Sequence, residues 1–556
     1  MKIYEDLIKE RIAESNKSLD CFPSYANTQH SIVELIDLYW VDKFRDGDYD
    51  KKGWKKFFYG IIDNPTNVAS KMVDLDTKNI QLIAEEGQSY YPVWFLEKDL
   101  KGWMKAQNFA KLLNDIVYSL PKYGSVILKK VQQKIELVPL QNVFRRPDLN
   151  KLEDSGLMEK HEWSQSKLKK MKGIWIDEAI DKSLSEYKED DIVFYEIIGE
   201  EIDGYNYYIC DEKNNVFFKD NKEINDLYRE VKWEDIPGRA LGRGQVEKLF
   251  EAQIHSNRIA NYKTKGLHWT SKHLWQSKDT TFSKNLTTDV DDGEVLVIKS
   301  ELTPVAMEER NLGAYREEEN RLDKLIADKS FAYDIMAGER PPSGTPLGTA
   351  ILQTQQAGGF YDLKREDIGI FIKEIIFDWV IPFFKKENTK EHQMIFGEMD
   401  AGEIEKLRKM MVIHNTNEEV WDYIFRTGEI PTREKVDLIQ NIEKGRVSKK
   451  RGLLIPANFY EGLRYRINVL ITNEQIDMSA KLVTAQQVLV MLANPAFLQD
   501  PRARKMFYWI LDKVGFSPTD FEDEESSEAI PPQNVGSIAP IATPTTPRTA
   551  TNMQVV

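Results

Sequence analysis

The side chains that most often do chemistry are thinly spread in this chain. Seven histidines, His30, His161, His255, His268, His273, His392 and His414, are scattered over 556 residues. His255, His268 and His273 are too widely spaced for one helix face and have no cysteine nearby, so spacing assembles no metal site. Carboxylates are abundant, but context marks none of them as an acid–base pair. Gly238, Gly242 and Gly244 lack the Gly-Lys-Ser/Thr ending of a phosphate loop and follow a polar linker where a strand is needed. Ser343-Gly-Thr345 precedes a helix and could offer free N–H groups to a phosphate, although a Gly/Pro hinge is the plainer reading. Neither a Gly-x-Ser-x-Gly elbow nor a kinase motif set occurs. The residues therefore lead us to expect no catalytic centre, no metal and no cofactor.

Charge is more informative. The chain carries 76 Lys and Arg against 90 Asp and Glu, a net charge of −14, whereas proteins that grip nucleic acid through overall charge are normally basic. One stretch reverses the sign. Between Arg239 and Lys278 lie Arg239, Arg243, Lys248, Arg258, Lys263, Lys265, Lys272 and Lys278 against only Glu247 and Glu251. A solvated helix face is the ordinary account of such a run. Here it coincides with a long helix interleaved with Trp269 and Trp275, so a local surface for an acidic partner such as DNA phosphates is an equal alternative.

The elements that must position these residues follow from periodicity. Single cores stop growing near roughly 250–300 residues, so several folded units are expected. The first ~130 residues read as mainly helical, with a helix over Ser31–Trp40, one after Pro65, and one from Asp99 to Leu120 that stops at Pro121. Short strands are expected at 124–130, 134–139 and 191–198, and a hairpin at 205–218 around Asn214-Asn215. Gly242-Arg-Gly244 reads as a flexible lead-in to a helix over about 245–268, on the order of 35 Å long. Its apolar face is narrow: Val246, Leu249, Phe250, Gln253, Ile254, Asn257 and Ala260. A short β segment follows, then a second long helix from about Asn311 to Ala337 and a loop over 339–348. A very long helix from Thr349 to about Phe384 is expected to kink at Gly358-Gly359. Residues 400–521 read as helices around one strand at 465–472. Six acids between Asp520 and Glu528, then a Pro/Ser/Thr-rich end, predict a disordered tail. Ile368–Phe384 is interrupted by Lys373, Glu374 and Asp378 and is no membrane span. Cys21 and Cys210 cannot build a disulfide framework, and the charged first residues hold no apolar signal core, so a reduced cytoplasmic setting is expected.

The order of features from Leu241 to Phe384 resembles the portal protein, or head-to-tail connector, of tailed bacteriophages. Residues 242–257 are similar to the opening of that family's first stem helix. Ser343-Gly-Thr-Pro-Leu-Gly-Thr-Ala350 and the helix behind it are similar to its tunnel loop. Residues 466–475, 493–497 and 515–518 resemble the segments that reach the crown, and 123–130 a wing strand. The resemblance implies an α+β, mainly helical, ring-forming fold: wing over 1–238, first stem helix 239–268, clip 269–310, second stem helix 311–337, tunnel loop 338–348, long wing helix 349–399, wing and crown remainder 400–520, and tail 521–556.

It also implies a function. Such chains form a homo-oligomeric ring, usually of twelve, at one capsid vertex of the virion, assembled in the host cytoplasm. Double-stranded DNA is packaged through the ring and ejected by it, and the ring meets the terminase large subunit, the head–tail adaptor, and the major capsid and scaffold proteins. Arg340, Ser343, Gly344, Thr345 and Gly348 are then expected at the tunnel loop. Lys248, Arg258, Lys263, Lys265 and Lys272 are expected on a basic stem, and Trp275, Lys278 and Lys284 on the docking clip. No cofactor, no membrane and no active site are implied. The rival readings are a metal-dependent nucleic-acid-processing phage enzyme and another structural virion protein of the tail or baseplate.

Overall fold

The computed structural model describes residues 3–77, 80–85, 90–187, 191–270, 274–276, 303–305, 312–332, 347–387, 392–395, 401–448, 452–455, 459–460 and 463–469. The chain divides into two compact units, Met1–Asn473 and Glu474–Val556, and all described residues belong to the first.

The helices are α1 (Ile3–Ser15), α2 (Gln29–Trp40), α3 (Asp63–Met72), α4 (Tyr90–Ala106), α5 (Phe109–Tyr123), three short ones α6 (Leu152–Ser155), α7 (Gln165–Lys169) and α8 (Asp177–Glu186), and α9 (Ile224–Leu227). They continue with α10 (Gln245–Lys248), α11 (Phe250–Thr270), α12 (Leu312–Ser330), α13 (Leu347–Ile375), α14 (Ile381–Glu387), α15 (Ala401–Thr427) and α16 (Arg433–Ser448). Local chemistry sets several ends. Thr28 and Ser31 form a reciprocal capping box that starts α2 two residues before the periodic stretch. The helix expected over 99–120 is in fact two, α4 and α5, because Asn108 at φ 51° turns the chain into the left-handed region between them. Pro121 sits inside the last turn of α5 and does not end it; Gly124, at φ 83°, does.

Five antiparallel sheets are present among the described residues. Strands β2 (Ser125–Val131), β3 (Lys134–Val138) and β9 (Tyr228–Lys232) form a three-stranded sheet in the order β3-β2-β9. Strands β4 (Val143–Phe144), β5 (Leu157–Trp163), β6 (Ile192–Ile202), β7 (Tyr205–Asp211) and β8 (Val216–Asp220) pair consecutively in a second sheet. Asn214, at φ 65°, makes the expected hairpin turn between β7 and β8.

Three two-stranded ribbons complete the set: β1 (Ile80–Ala84) with β14 (Tyr465–Val469), β10 (Leu274–Gln276) with β11 (Thr303–Val305), and β12 (His392–Ile395) with β13 (Gly452–Ile455). The β1–β14 pair adds an unexpected strand to the mainly helical N-terminal region and joins segments almost 400 residues apart. The long helix ends at Glu387, close to the end expected near Phe384, and the strand β12 occupies part of the 349–399 segment assigned to it.

The long helix also departs from expectation in its irregularity. It runs through Gly358-Gly359, and the irregular turn is a π segment at Ile376–Val380. Pro382 lies just beyond it, lacks an N–H, and would clash with the carbonyl four residues back, which a wider turn relieves.

Four hydrophobic clusters hold the unit together. The largest gathers α3, α4, α5, α13, α14 and α15 around residues such as Phe95, Leu100, Ile372 and Trp379. A second fills the space between the two larger sheets, a third joins α2 to the α10–α12 region, and a fourth seats Tyr4 and Ile8 of α1 against Met158, Tyr195 and Tyr208. The thiols Cys21 and Cys210 are both free, the first exposed and the second buried. No helix among the described residues is long and apolar enough to cross a membrane.

Candidate functional site

The stretch singled out by charge forms a helix–ribbon–helix unit. Helices α11 and α12 pack side by side and run antiparallel: Leu322 and Ile326 share a core with Val246, Leu249 and Phe250, while His255 meets Glu318 at 3.0 Å. Between them in sequence lies the β10–β11 ribbon, with Trp275 opposite Pro304. After α12 the chain reaches the long α13.

The narrow stripe of α11 has a partner within the chain. Two polar residues of that stripe, Gln253 and Asn257, continue at the same four-residue spacing to Asn261, and the three form an amide ladder. Their side-chain oxygens accept from the backbone N–H groups of Ile61, Tyr59 and Phe57 at 3.0, 2.8 and 2.7 Å. The amide nitrogens of Gln253 and Asn261 donate back to the Tyr59 and Phe57 carbonyls. An extended segment is thus docked edge-on against a helix, each of its alternate backbone groups satisfied by one helical turn.

Carboxylates inside and outside the run meet most of its described bases. Lys248 is partly buried, paired with Glu234 and set 5.5 Å from the centre of the Phe360 ring. Burial pushes its pKa down, against the pull of Glu234. Lys263 pairs with Glu319 at 2.8 Å and Lys265 with Asp50 at 2.7 Å. Arg239 makes a buried two-pronged pair with Glu247, with one N–H···O contact of 2.7 Å and the other of 2.5 Å. Arg258 is exposed and makes no ion pair among the described residues. Lys272, Lys278 and Lys284 lie outside the described residues, as do Arg340, Ser343, Gly344 and Thr345. Gly348 belongs to the first turn of α13, so the helix starts inside the expected loop.

Gly242-Arg-Gly244 is not a flexible lead-in. A Cβ on Gly242 would lie 2.3 Å from the Gly124 carbonyl oxygen, and one on Gly244 2.7 Å from the Gly124 nitrogen. Gly124 would meet the same backbone at 2.4 Å. The start of α10 therefore crosses the end of α5 backbone against backbone, which only glycines permit. The Gly242 N–H donates to Ser125 Oγ at 2.9 Å, locking the crossing.

Sequence reasoning missed a buried ionic cluster between the two larger sheets. Glu159 on β5 and Glu196 on β6 are direct cross-strand partners. Like charges so placed repel, and a cation from the facing sheet relieves them: Lys129 Nζ donates to Glu159 at 2.8 Å and also to Glu196. Tyr228, opposite Lys129 on β9, donates to Glu159 at 2.8 Å, and Tyr207 donates to Glu196 at 2.5 Å. His161 Nε2 lies 3.3 Å from Glu196 and 3.5 Å from Glu159, with its ring stacked on Phe194. Glu159, His161 and Glu196 are close enough together to ligate one ion. The Lys129 ammonium, however, already occupies the cationic position among them. The cluster spans residues 129 to 228 on five strands, so no sequence spacing could announce it.

The charges in this cluster balance two against two only when His161 is protonated. Burial opposes protonation, but hydrogen bonds to Glu159 and Glu196 outweigh it, and the His161 pKa stands above its ordinary value. Because the folded value exceeds the unfolded one, near 6.5, the stabilisation is complete below that pH. It is lost as pH rises through the folded value. The urea midpoint of the native chain is therefore expected to fall between about pH 6 and pH 9 relative to that of His161→Gln; parallel curves for the two proteins would refute the assignment.

No protein-family model and no curated protein matches the chain. Among solved structures, the virion of a native gene transfer agent particle is similar with a TM-score of 0.35 and 10% identity, covering 78% of this chain and 98% of that one. The neck of an empty particle of the same kind, computed with C6 symmetry, is similar with a TM-score of 0.36 at the same identity and coverage. Likeness at this level carries no role from those particles to this chain.

Proposed function

We propose that this chain is the subunit of a portal ring: a homo-oligomer at one vertex of a phage-type capsid through which double-stranded DNA enters and leaves. The observation that carries the reading is the order helix, ribbon, helix, long helix in α11, β10–β11, α12 and α13. It matches the stem, clip, stem and wing-helix sequence of the portal family. In this reading the ribbon, with Trp275, is where terminase and then the head–tail adaptor dock, and the residues around Arg340 to Gly348 face DNA.

The electrostatics support passage in preference to grip. Each phosphate neutralised by a free cation adds affinity through counterion release, and a conduit has to let the duplex slide. Asp50, Glu234 and Glu319 neutralise Lys265, Lys248 and Lys263 within the fold. Among the described residues of the basic run, fewer free cations remain than the sequence suggests, and in this reading the chain supplies no catalytic step of its own. Negative-stain images of the purified full chain are expected to show rings with a central hole wide enough for duplex DNA. A monomer under all conditions, or a ring without a hole, rules the proposal out.

A further inference from the structure

Among the described residues, helices α15 and α16 form a hairpin held to the rest of the unit at its base only. Leu407, Met411, Val412 and Thr416 of α15 and Glu443 and Val447 of α16 are buried, but no residue from Asn417 to Ile442 is. The two helices nevertheless hold each other. Asn415 donates to Glu443 at 2.9 Å, Arg446 pairs with Glu419 at 3.2 Å, and Lys435 sits 3.8 Å from the centre of the Tyr423 ring. Gly428, at φ 71°, closes the turn.

This projection is strongly apolar: Trp421, Phe425, Ile430 and Leu438 are 59%, 81%, 86% and 60% exposed. Single exposed apolar residues are ordinary, but a cluster of this size on one projection marks a contact surface. A helix pair buries only the seam between its members, and its outer stripes need further elements.

Charge indicates what covers it. Residues 401–448 carry nine acids and eight bases, a nearly balanced mixture inside a chain of net charge −14. Such a rim complements neither a polyanion nor a polycation; it suits a surface of equally mixed sign. Among the described residues there is a second exposed stripe of that kind, contacted within the chain only at its end, where the Phe377 ring lies 6.0 Å from that of Tyr465. Leu363, Ile370 and Phe377 recur every seven residues along α13 and its π turn, each more than half exposed, among Asp362, Lys364, Glu366, Lys373 and Glu374.

Two different apolar faces on one chain meet the requirement for head-to-tail association, in which unlike patches join and a closed rotation gives a ring. We infer that the α15–α16 hairpin tip of one copy packs on the Leu363–Ile370–Phe377 stripe of the next. The inference rests on the ring reading for closure only.

The test uses the full chain and two double variants: Trp421→Ser with Phe425→Ser, and Leu363→Ser with Ile370→Ser. Native mass spectrometry is expected to show that neither variant forms the wild-type oligomer. Mixed together, they are expected to give one-to-one heterodimers that grow no further, since each retains the face the other lacks. Assembly of either variant as well as wild type overturns the inference, as does a mixture that stays monomeric. A lowered melting temperature of either variant as a monomer also overturns it, because the face is then covered within the chain. Wild-type oligomers without a hole that still depend on these residues sink the portal reading and leave the interface standing. Rings indifferent to them do the reverse.

Discussion

Replacing Lys129 with methionine is expected to destabilise the protein by about 3–5 kcal/mol, the cost of leaving buried charges unpaired. The side chain lies between two sheets and reaches carboxylates on adjacent strands, Glu159 and Glu196, which the strand register sets directly opposite each other. Without the ammonium, two buried carboxylates face each other with only His161 between them. Tyr207 and Tyr228 donate hydrogen bonds but bring no charge. The stacked pair Trp163 and Trp175, with ring centroids 5.6 Å apart, lies beside His161 and gives a local fluorescence reporter. A urea titration that shows a loss below about 1 kcal/mol would mean that the cluster is hydrated and screened like a surface pair. A triple variant with Glu159→Gln and Glu196→Gln on the Lys129→Met background is expected to recover part of the loss, since the repulsion disappears with the charges.

Gly242→Ala is expected to cost about 3 kcal/mol or more, above the usual range for overpacking because the atoms in the way are backbone. The added methyl would stand 2.3 Å from the Gly124 carbonyl oxygen and 2.9 Å from that of Glu234, and neither can move without shifting the end of α5 or the end of β9. The same substitution at Gly359, in the middle of α13, meets nothing within 4 Å and is expected to add about 0.5–1 kcal/mol of stability, as in any exposed helix interior. Thermal melts followed by circular dichroism separate the two outcomes. A harmless Gly242→Ala would restore the reading of this segment as a mobile lead-in.

Much of the helical order was legible in the sequence, because amphipathic spacing is a local property. The hairpin at Asn214 and the strands β2, β3 and β6 were legible for the same reason. Strands β1 and β13 were not. Each is five residues or fewer, and each is a strand only because a distant segment, β14 or β12, supplies its hydrogen bonds. The break at Asn108 was hidden too, since apolar periodicity continues across it and only the backbone angle reveals the turn.

Charge shows the same division. The sequence by itself determined the net charge of −14, the basic run from Arg239 to Lys278, and the helix–ribbon–helix order that underlies the portal proposal. Composition and periodicity need no partner to be read. Only the tertiary structure decided that Lys248, Lys263 and Lys265 are neutralised by Glu234, Glu319 and Asp50, the last of these 215 residues away. It alone decided that Gln253, Asn257 and Asn261 serve an extended segment of the same chain, and that Gly242 is rigid. Ion pairs, amide ladders and backbone crossings act over a few ångströms, and which residues come that close is a property of the fold and not of their spacing along the chain.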